Sequence, residues 1–335
     1  MAKIDLIIDI GSSYINIYKD GEGLILREPS MVVISKGKNI VAYGSEAKKL
    51  VLSTALPENC GVVCPIQEGS IRYLKMAVSM LDHFIARVVK RKEHFIKPKV
   101  RIFANIPCGS SAEEKKIFED VLYACGAKEV YLVESPIMAL YGAYHKTPKS
   151  KYIVDIGGGI TDVAYVQDGV MQFGKSYGIG GLNMDQGIID CVENAYGVQI
   201  SISRSEIVKL EIGTLFTNEN TAISVDGKNP LSLMPKFVEI ETDGIRGALT
   251  FFYGKIADIV LESFKSFSDE TIAKIRQEGI LVCGGGADIH GLKEFLEEKL
   301  KMPVQIPEKS ALCAVLGGGR LLGDAETFNA ILNIE

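Results

Sequence analysis

The chain has 335 residues, 47% of them hydrophobic and 24% charged, with a formal net charge of −5. That length suits two domains, or one large domain in two lobes, with core enough to need no covalent or metal staple. The negative balance excludes a global basic field for recruiting nucleic acid, and no run approaches the roughly 20 apolar residues of a membrane span.

The N-terminus, MAKIDLIIDIGSS, lacks a signal-peptide layout, because Asp5 interrupts its apolar run. Seven cysteines, an odd number, include no C-x-x-C; Cys60 and Cys64 are the closest pair. Reduced thiols of a cytoplasmic protein fit better than a disulfide frame or a zinc site.

LIIDIGSSYINIYKDG, Leu6 to Gly21, reads as an apolar strand, an Asp-Ile-Gly turn, and an alternating strand closed by Asp-Gly. The basic run KRKEHFIKPKVR, Lys90 to Arg101, reads as a solvated helix end and loop, or as a contact for an anionic surface. VYLVESPIMALYGAY, Val130 to Tyr144, predicts a buried strand followed by a helix entered at Pro136. Glu134 sits at their junction. It could orient a water, or simply favour the helix dipole.

YIVDIGGGITDVAYVQDG, Tyr152 to Gly169, then repeats the first hairpin, with Asp155 in the place of Asp9 and Gly157 in that of Gly11. One unit occurring twice predicts two related lobes facing each other. Gly11-Ser12-Ser13 and Gly157-Gly158-Gly159 carry no bulky side chain, so their backbone N–H groups can reach an anion. An acid beside each turn would repel phosphate unless a cation lay between. Mg²⁺, held largely through waters by Asp9 and Asp155, is the expected cation.

GVMQFGKS, Gly169 to Ser176, fits the phosphate-loop pattern G-x-x-x-x-G-K-[ST] letter for letter. That loop requires a helix starting at its Lys-Ser. Here Gly169 belongs to an Asp-Gly turn, Val170 to Tyr177 reads as a returning strand, and YGIGGLN cannot start a helix. The match at Lys175 is therefore read as coincidence.

SRSEIVKLEIG, Ser203 to Gly213, predicts a helix with a capping box of Ser203 and Glu206 and an end at Gly213. Glu206 and Lys209 share one face, as an exposed ion pair or as a pair reaching an adenosine. ILVCGGGADIHGLKEFLEEKL, Ile280 to Leu300, reads strand, turn, helix. Gly284, Gly285 and Gly286 would let backbone approach a flat purine or ribose, or would merely make a tight connection.

In this order the stretches resemble the nucleotide site of the actin-like ATPase superfamily, with ALCAVLGGGRLL, Ala311 to Leu322, as its second connecting helix. Within it the chain resembles MreB-type bacterial actins. The likeness runs through REPSMVVI, PIQEGSIRYLKMAVSMLDHFI, NIPCGSSAEEKKIFEDVLYACGAKEVYLVESPIMALYGA, GLNMDQGIID, SRSEIVKLEIG and GILVCGGGADIHGL. It implies an α/β, actin-like ATPase fold: two duplicated ribonuclease-H-like lobes with small inserted subdomains. Lobe I would be residues 1–136 plus 310–335, with an outer part near 30–65. Lobe II would be 137–309, with an outer part near 185–245. ATP and Mg²⁺ would lie in the cleft, and copies would join head to tail into cytoskeletal filaments.

The resemblance also implies roles. Asp9 and Asp155 position Mg²⁺; Gly11, Ser12, Ser13, Tyr14, Gly157, Gly158 and Gly159 surround the phosphates. Glu134 places the attacking water, with Asp155, Thr161 and Asp162 as further catalytic candidates. Glu206, Lys209, Gly284, Gly285 and Gly286 surround the adenosine. The family usually reads G-G-G-T-T-E where this chain has Gly157-Gly158-Gly159-Ile160-Thr161-Asp162, so the hydroxyl that helps hold the water is missing at Ile160, and slow hydrolysis is expected. The first turn reads Ser12-Ser13-Tyr14 where Thr-Ala-Asn is common. Strand residues from about Ile4 leave no room for an N-terminal amphipathic helix. Membrane contact at the inner face and membrane-associated cell-shape partners rest on the resemblance alone, and no nucleic-acid partner is expected. A partitioning or organelle-positioning actin is the alternative, with a small-molecule kinase of the same superfamily less favoured.

Overall fold

The computed structural model describes residues 3–37, 39–53, 56, 59–91, 98–146 and 148–332. Residues 92–97, half of the basic run Lys90–Arg101, lie outside the described residues. β1 (Lys3–Ile10), β2 (Tyr14–Lys19) and β3 (Gly23–Pro29) form an antiparallel meander. A small unit follows: β4 (Val32–Ser35), β5 (Ile40–Tyr43), α1 (Gly44–Leu52) and β6 (Cys60–Val63). A short hairpin, β7 (Ile66–Gln67) and β8 (Ser70–Ile71), leads into α2 (Leu74–Val89). β9 (Lys99–Ile106), α3 (Ala112–Ala124), β10 (Glu129–Glu134) and α4 (Ser135–Ala143) complete the first half. β9 joins β1 in parallel, and β10 joins β9 in parallel.

The second half repeats the plan. β11 (Ser150–Ile156), β12 (Thr161–Gln167) and β13 (Val170–Tyr177) form the meander. α5 (Gly181–Tyr196), α6 (Ile202–Ile212), β14 (Ala222–Lys228), β15 (Pro235–Glu241), α7 (Thr242–Ser263) and α8 (Asp269–Glu278) come next. β16 (Ile280–Cys283), α9 (Leu292–Leu300) and β17 (Val304–Gln305) extend the sheet in parallel from β11. The two sheets run β10-β9-β1-β2-β3 and β17-β16-β11-β12-β13, the same order with the same strand directions. The duplication read from two short hairpins therefore extends to the whole of both sheets.

Periodicity explains the local choices. The central stretches of β1 and β11, Leu6–Ile8 and Tyr152–Val154, are consecutive buried apolar residues because these strands lie in the middle of a sheet covered on both faces. The turn between β12 and β13 has Asp168 at φ 49° and Gly169 at φ 77°, the two left-handed residues of a type I′ hairpin. Beyond its turn glycine, GVMQFGKS is strand, as expected, and the Lys175 ammonium lies over the Tyr177 ring at 5.0 Å.

α10 (Cys313–Leu322) crosses back to the first half, and α11 (Ala325–Leu332) follows it. Beyond a core for each sheet, a third core joins them: Ile7, Phe103, Met138, Ile153, Leu281 and Val315 are buried together between α4, α10 and the two central strands. All seven cysteines carry free thiols. Among the described residues no helix is long and apolar enough to cross a membrane.

Candidate functional site

The two Asp-Ile-Gly turns meet at the C-terminal ends of β1 and β11. Each is closed by the same bond: Gly11 N–H donates to the Tyr14 carbonyl at 3.1 Å, and Gly157 N–H to the Ile160 carbonyl at 2.8 Å. A Cβ on Gly158 would stand 2.1 Å from Ser13 Oγ, and one on Gly159 would stand 2.6 Å from Ser12 Oγ and 2.9 Å from Glu68 N. The turns thus touch backbone to hydroxyl, and a larger side chain would force them apart. The cleft they bound encloses about 830 Å³ open to solvent. Asp9, Gly11, Ser12, Ser13, Tyr14, Asp155, Gly157, Gly158, Gly159, Ile160 and Asp162 all line it, as do Gly284 and Gly285.

Sheet register arranges the polar side chains in two rows. Asp9 lies opposite Asn16, and Asn16 opposite Arg27. Across the cleft, Asp155 lies opposite Asp162, and Asp162 opposite Ser176. Asn105 on β9 completes the first row, as Cys283 on β16 does the second. Asp9 is gripped on both oxygens: Asn105 Nδ2 donates to Oδ1 at 2.7 Å and Asn16 Nδ2 to Oδ2 at 2.8 Å. Asn105 is itself fixed, donating to Ser135 Oγ at 2.8 Å and accepting from Ile10 N–H at 2.8 Å. Asp162 accepts from Ser176 Oγ and from Cys108 N–H.

Burial dominates the electrostatics. It pushes Asp155 up to about 8, helped by the like charges of Asp162 and Asp9. It pushes Asp162 up to about 7 against the hydrogen bonds from Ser176 and Cys108. Asp9 is also raised by burial, opposed by its two asparagine donors and by the charge of Arg27. Three carboxylates facing one gap make the placement of a divalent cation favourable. Among the described residues no group of three or more ligand-type side chains is arranged as a cage. Two opposed carboxylates without a cage fit Mg²⁺, which keeps most of its waters and takes phosphate oxygens.

Other expected residues stand elsewhere. Thr161 is fully buried and donates its hydroxyl to the Ile179 carbonyl at 2.8 Å, so it does not line the cleft. Strand alternation turns Ile160 and Asp162 to the cleft and Thr161 away. Glu134 ends β10 and accepts from Gly109 N–H at 3.3 Å, beside the cleft but outside its lining. Gly286 is buried against Ile156, and its carbonyl accepts from Tyr253 Oη at 2.6 Å; it too does not line the cleft.

Glu206 and Lys209 do not pair with each other. Lys209 is buried, bonded to Asp185 at 2.7 Å and to the Gly181 carbonyl at 2.9 Å. Glu206 reaches across the cleft mouth, accepting from Lys48 Nζ at 2.5 Å and from Tyr14 Oη at 3.0 Å. α6 starts earlier than expected. Its cap is Ser201, which accepts from Arg204 N–H, so Ser203 and Glu206 form no capping box. The capping box that does form is Ser111 with Glu114 on α3. Gly213 ends α6 as expected.

Asn16, Asn105, Arg27 and Lys48 carry no signal in the sequence reading above. Asn105 has a latent one, since a lone amide inside the apolar run RIFANIP needs a buried partner. Lys48 has none, because its partner Glu206 is 158 residues away.

The MreB/Mbl protein family model matches residues 3–330. "Cell shape-determining protein MreB" of Escherichia coli (strain K12) is 31% identical over 330 residues, covering 96% of this chain and 94% of that protein. "Cell shape-determining protein Mbl" of Bacillus subtilis (strain 168) is 30% identical over 326 residues, covering 96% of each. The crystal structure of MreB5 of Spiroplasma citri bound to ADP superposes with a TM-score of 0.88 at 26% identity, covering 98% of each chain. The same protein bound to AMPPNP gives the same values.

Proposed function

Because the chain belongs to the MreB/Mbl family, we propose that it is a bacterial actin homologue that binds ATP with Mg²⁺, hydrolyses it slowly, and assembles head to tail into cytoskeletal filaments. One observation carries the reading: two Asp-Ile-Gly turns, at the same position of duplicated sheets, close on one cleft. Lobe I is taken as residues 1–136 plus 310–335 and lobe II as 137–309, with α10 joining them. The setting is the cytoplasm, peripheral at the inner face of the membrane, organising cell shape or wall synthesis with membrane-associated partners.

The chemistry is attack of water on the terminal phosphate of ATP, giving ADP and phosphate. Most of such catalysis is positioning and charge stabilisation. Backbone N–H groups of Ser12, Ser13, Gly158 and Gly159 donate to phosphate oxygens. Asp9 and Asp155 would hold Mg²⁺ through its waters, and the ion would supply neutralising charge between phosphate oxygens. Gly284 and Gly285 support the nucleoside. Asp162, beside Asp155 and near Glu134, accepts a proton of the attacking water. Ile160 offers that water no hydrogen bond, which makes hydrolysis slow.

Sedimentation and negative-stain microscopy test the function. With ATP and Mg²⁺ the pelleted fraction is expected to rise and filaments to appear. A chain that stays monomeric and phosphorylates a metabolite would overturn the reading. Ile160 itself packs beside Gly69 of the β7–β8 turn, where a Cβ would meet Ile160 Cδ1 at 2.7 Å. Ile160→Thr is expected to raise the rate of phosphate release about 10-fold, the scale of one hydrogen bond to the attacking water, with nucleotide affinity within about two-fold. An unchanged release rate would show that the missing hydroxyl is not what limits hydrolysis.

A further inference from the structure

The described residues that line the cleft include three carboxylates and one cation. Among its lining residues the acids are Asp9, Asp155 and Asp162, and the cation is Arg27. Register explains how Arg27 comes to face the site. Directly opposed residues of antiparallel strands point to the same side of the sheet. Arg27 opposes Asn16 and Asn16 opposes Asp9, so all three project into the cleft. Its neighbour Glu28 points the other way, where it is buried and bonded to Arg87 at 2.8 Å and to Ser45 N–H at 2.8 Å.

Arg27 is exposed in the open cleft and, among the described residues, makes no ion pair or side-chain hydrogen bond. This contrasts with Arg87, Arg101, Arg204 and Arg246, each of which has a carboxylate partner. Its guanidinium carbon lies 4.8 Å from the centroid of the Tyr14 ring. Stacking of that kind fixes the plane of the group while leaving its N–H donors free. Tyr14 is held in turn, bonded through its hydroxyl to Lys48 and Glu206. A guanidinium oriented by an anchored ring, its donors free, in the same cleft as two anion-seeking turns, fits a planar array of phosphate oxygens.

We propose that Arg27 contacts the polyphosphate chain of the nucleotide and supplies the one positive side chain among the described residues that line the cleft. Asn16, between Arg27 and Asp9, keeps the guanidinium from collapsing onto the carboxylate. The row then reads acid, amide, cation, matching hydrated metal at one end and phosphate at the other. This rests on the nucleotide reading above. Arg27 is exposed and bonds no other side chain among the described residues, so substitutions there are expected to leave the fold intact.

The test compares ATP with adenosine, each in Mg²⁺ buffer, by calorimetry or competition against a fluorescent nucleotide. Arg27→Ala and Arg27→Gln are expected to weaken ATP binding about 10- to 100-fold, the loss of a charge-assisted hydrogen-bonded pair. Adenosine binding should change less than about two-fold, and Arg27→Lys should recover part of the loss. ATP affinity equal to wild type in Arg27→Ala overturns the inference. So does an equal loss for ATP and adenosine, which would mean that Arg27 only props Tyr14. If the wild-type protein binds no ATP, the nucleotide reading fails first and this one with it, a result distinct from either.

Discussion

Gly317→Ala is expected to cost this protein at least about 3 kcal/mol of stability and to lower its melting temperature on the order of 5–10 °C. A Cβ at Gly317 would stand 1.8 Å from the Met138 carbonyl oxygen and 2.5 Å from Gly142 N. Seen from α4, a Cβ at Gly142 would stand 1.9 Å from the Cys313 carbonyl oxygen. These are backbone atoms on both sides, so no change of rotamer relieves the clash, and α10 must move bodily. It has nowhere to go. On its other flank a Cβ on Gly318 would meet Ile7 at 2.6 Å, and one on Gly319 would meet the Tyr18 ring at 2.6 Å. Displacing α10 opens the core that joins the two sheets, so the cost combines strain with lost burial. Gly247→Ala is the control. Gly247 lies in α7 with nothing within 4 Å of an added Cβ, and alanine there should stabilise by about 0.5–1 kcal/mol. Thermal unfolding of both variants decides the matter, and a Gly317→Ala protein melting with the parent would refute the close-crossing account.

That pair of helices marks where the sequence stops being legible. The glycines of ALCAVLGGGRLL are visible in the chain, but which neighbour they admit depends on a crossing between segments far apart. Local signals fared better. Asp-Gly at residues 168–169, Pro136 at a helix entrance, and the doubled Asp-Ile-Gly each specify a turn or an end by short-range sterics, and each stands where expected. The cap of α6 misled because Ser201 and Ser203 both precede a good helical run, and only packing decides between them. Ser203 is buried inside the first turn of α6, which starts at Ile202, so Ser201 is left to cap it. Glu206 and Lys209 show the same limit from another side. Helical spacing puts them on one face, yet Asp185 and Lys48 from other elements displace that weak surface pair. The site's acids and glycines were readable because each is required within its own hairpin. Asn105, Arg27 and Lys48 were not, because each acquires its role from a neighbour brought by the sheet or the cleft.

Asp155→Asn is expected to make the protein without nucleotide more stable and to abolish its response to ATP and Mg²⁺. Burial, with the charges of Asp162 and Asp9 adding to it, pushes the Asp155 carboxyl up to about 8 from an ordinary value of 3.8. Between those two values the folded chain keeps a proton that the unfolded chain has already released. Raising the pH through this window therefore removes stability, and the whole penalty is present above about pH 8 and absent below about pH 4. Its size is on the order of a few kcal/mol, since a tenfold change in proton affinity on folding corresponds to about 1.4 kcal/mol and the neighbouring acids share the strain. The amide has no charge to bury, so the variant should unfold at a higher temperature than wild type at pH 8, and the gap should shrink toward pH 5. With the nucleotide present the gap is expected to narrow at pH 8 and to reverse at pH 5, where the charge penalty is small. Wild type is expected to gain stability with the logarithm of the free ligand concentration, about 2.7 kcal/mol at a hundredfold excess over the dissociation constant, whereas the variant has lost one of the two carboxylates that would hold the cation. Melting curves at pH 5, 6.5 and 8, each with and without ATP and Mg²⁺, separate the two effects. A variant less stable than wild type at pH 8, or one still stabilised fully by ATP and Mg²⁺, would remove Asp155 from the site and take the opposed-carboxylate design with it.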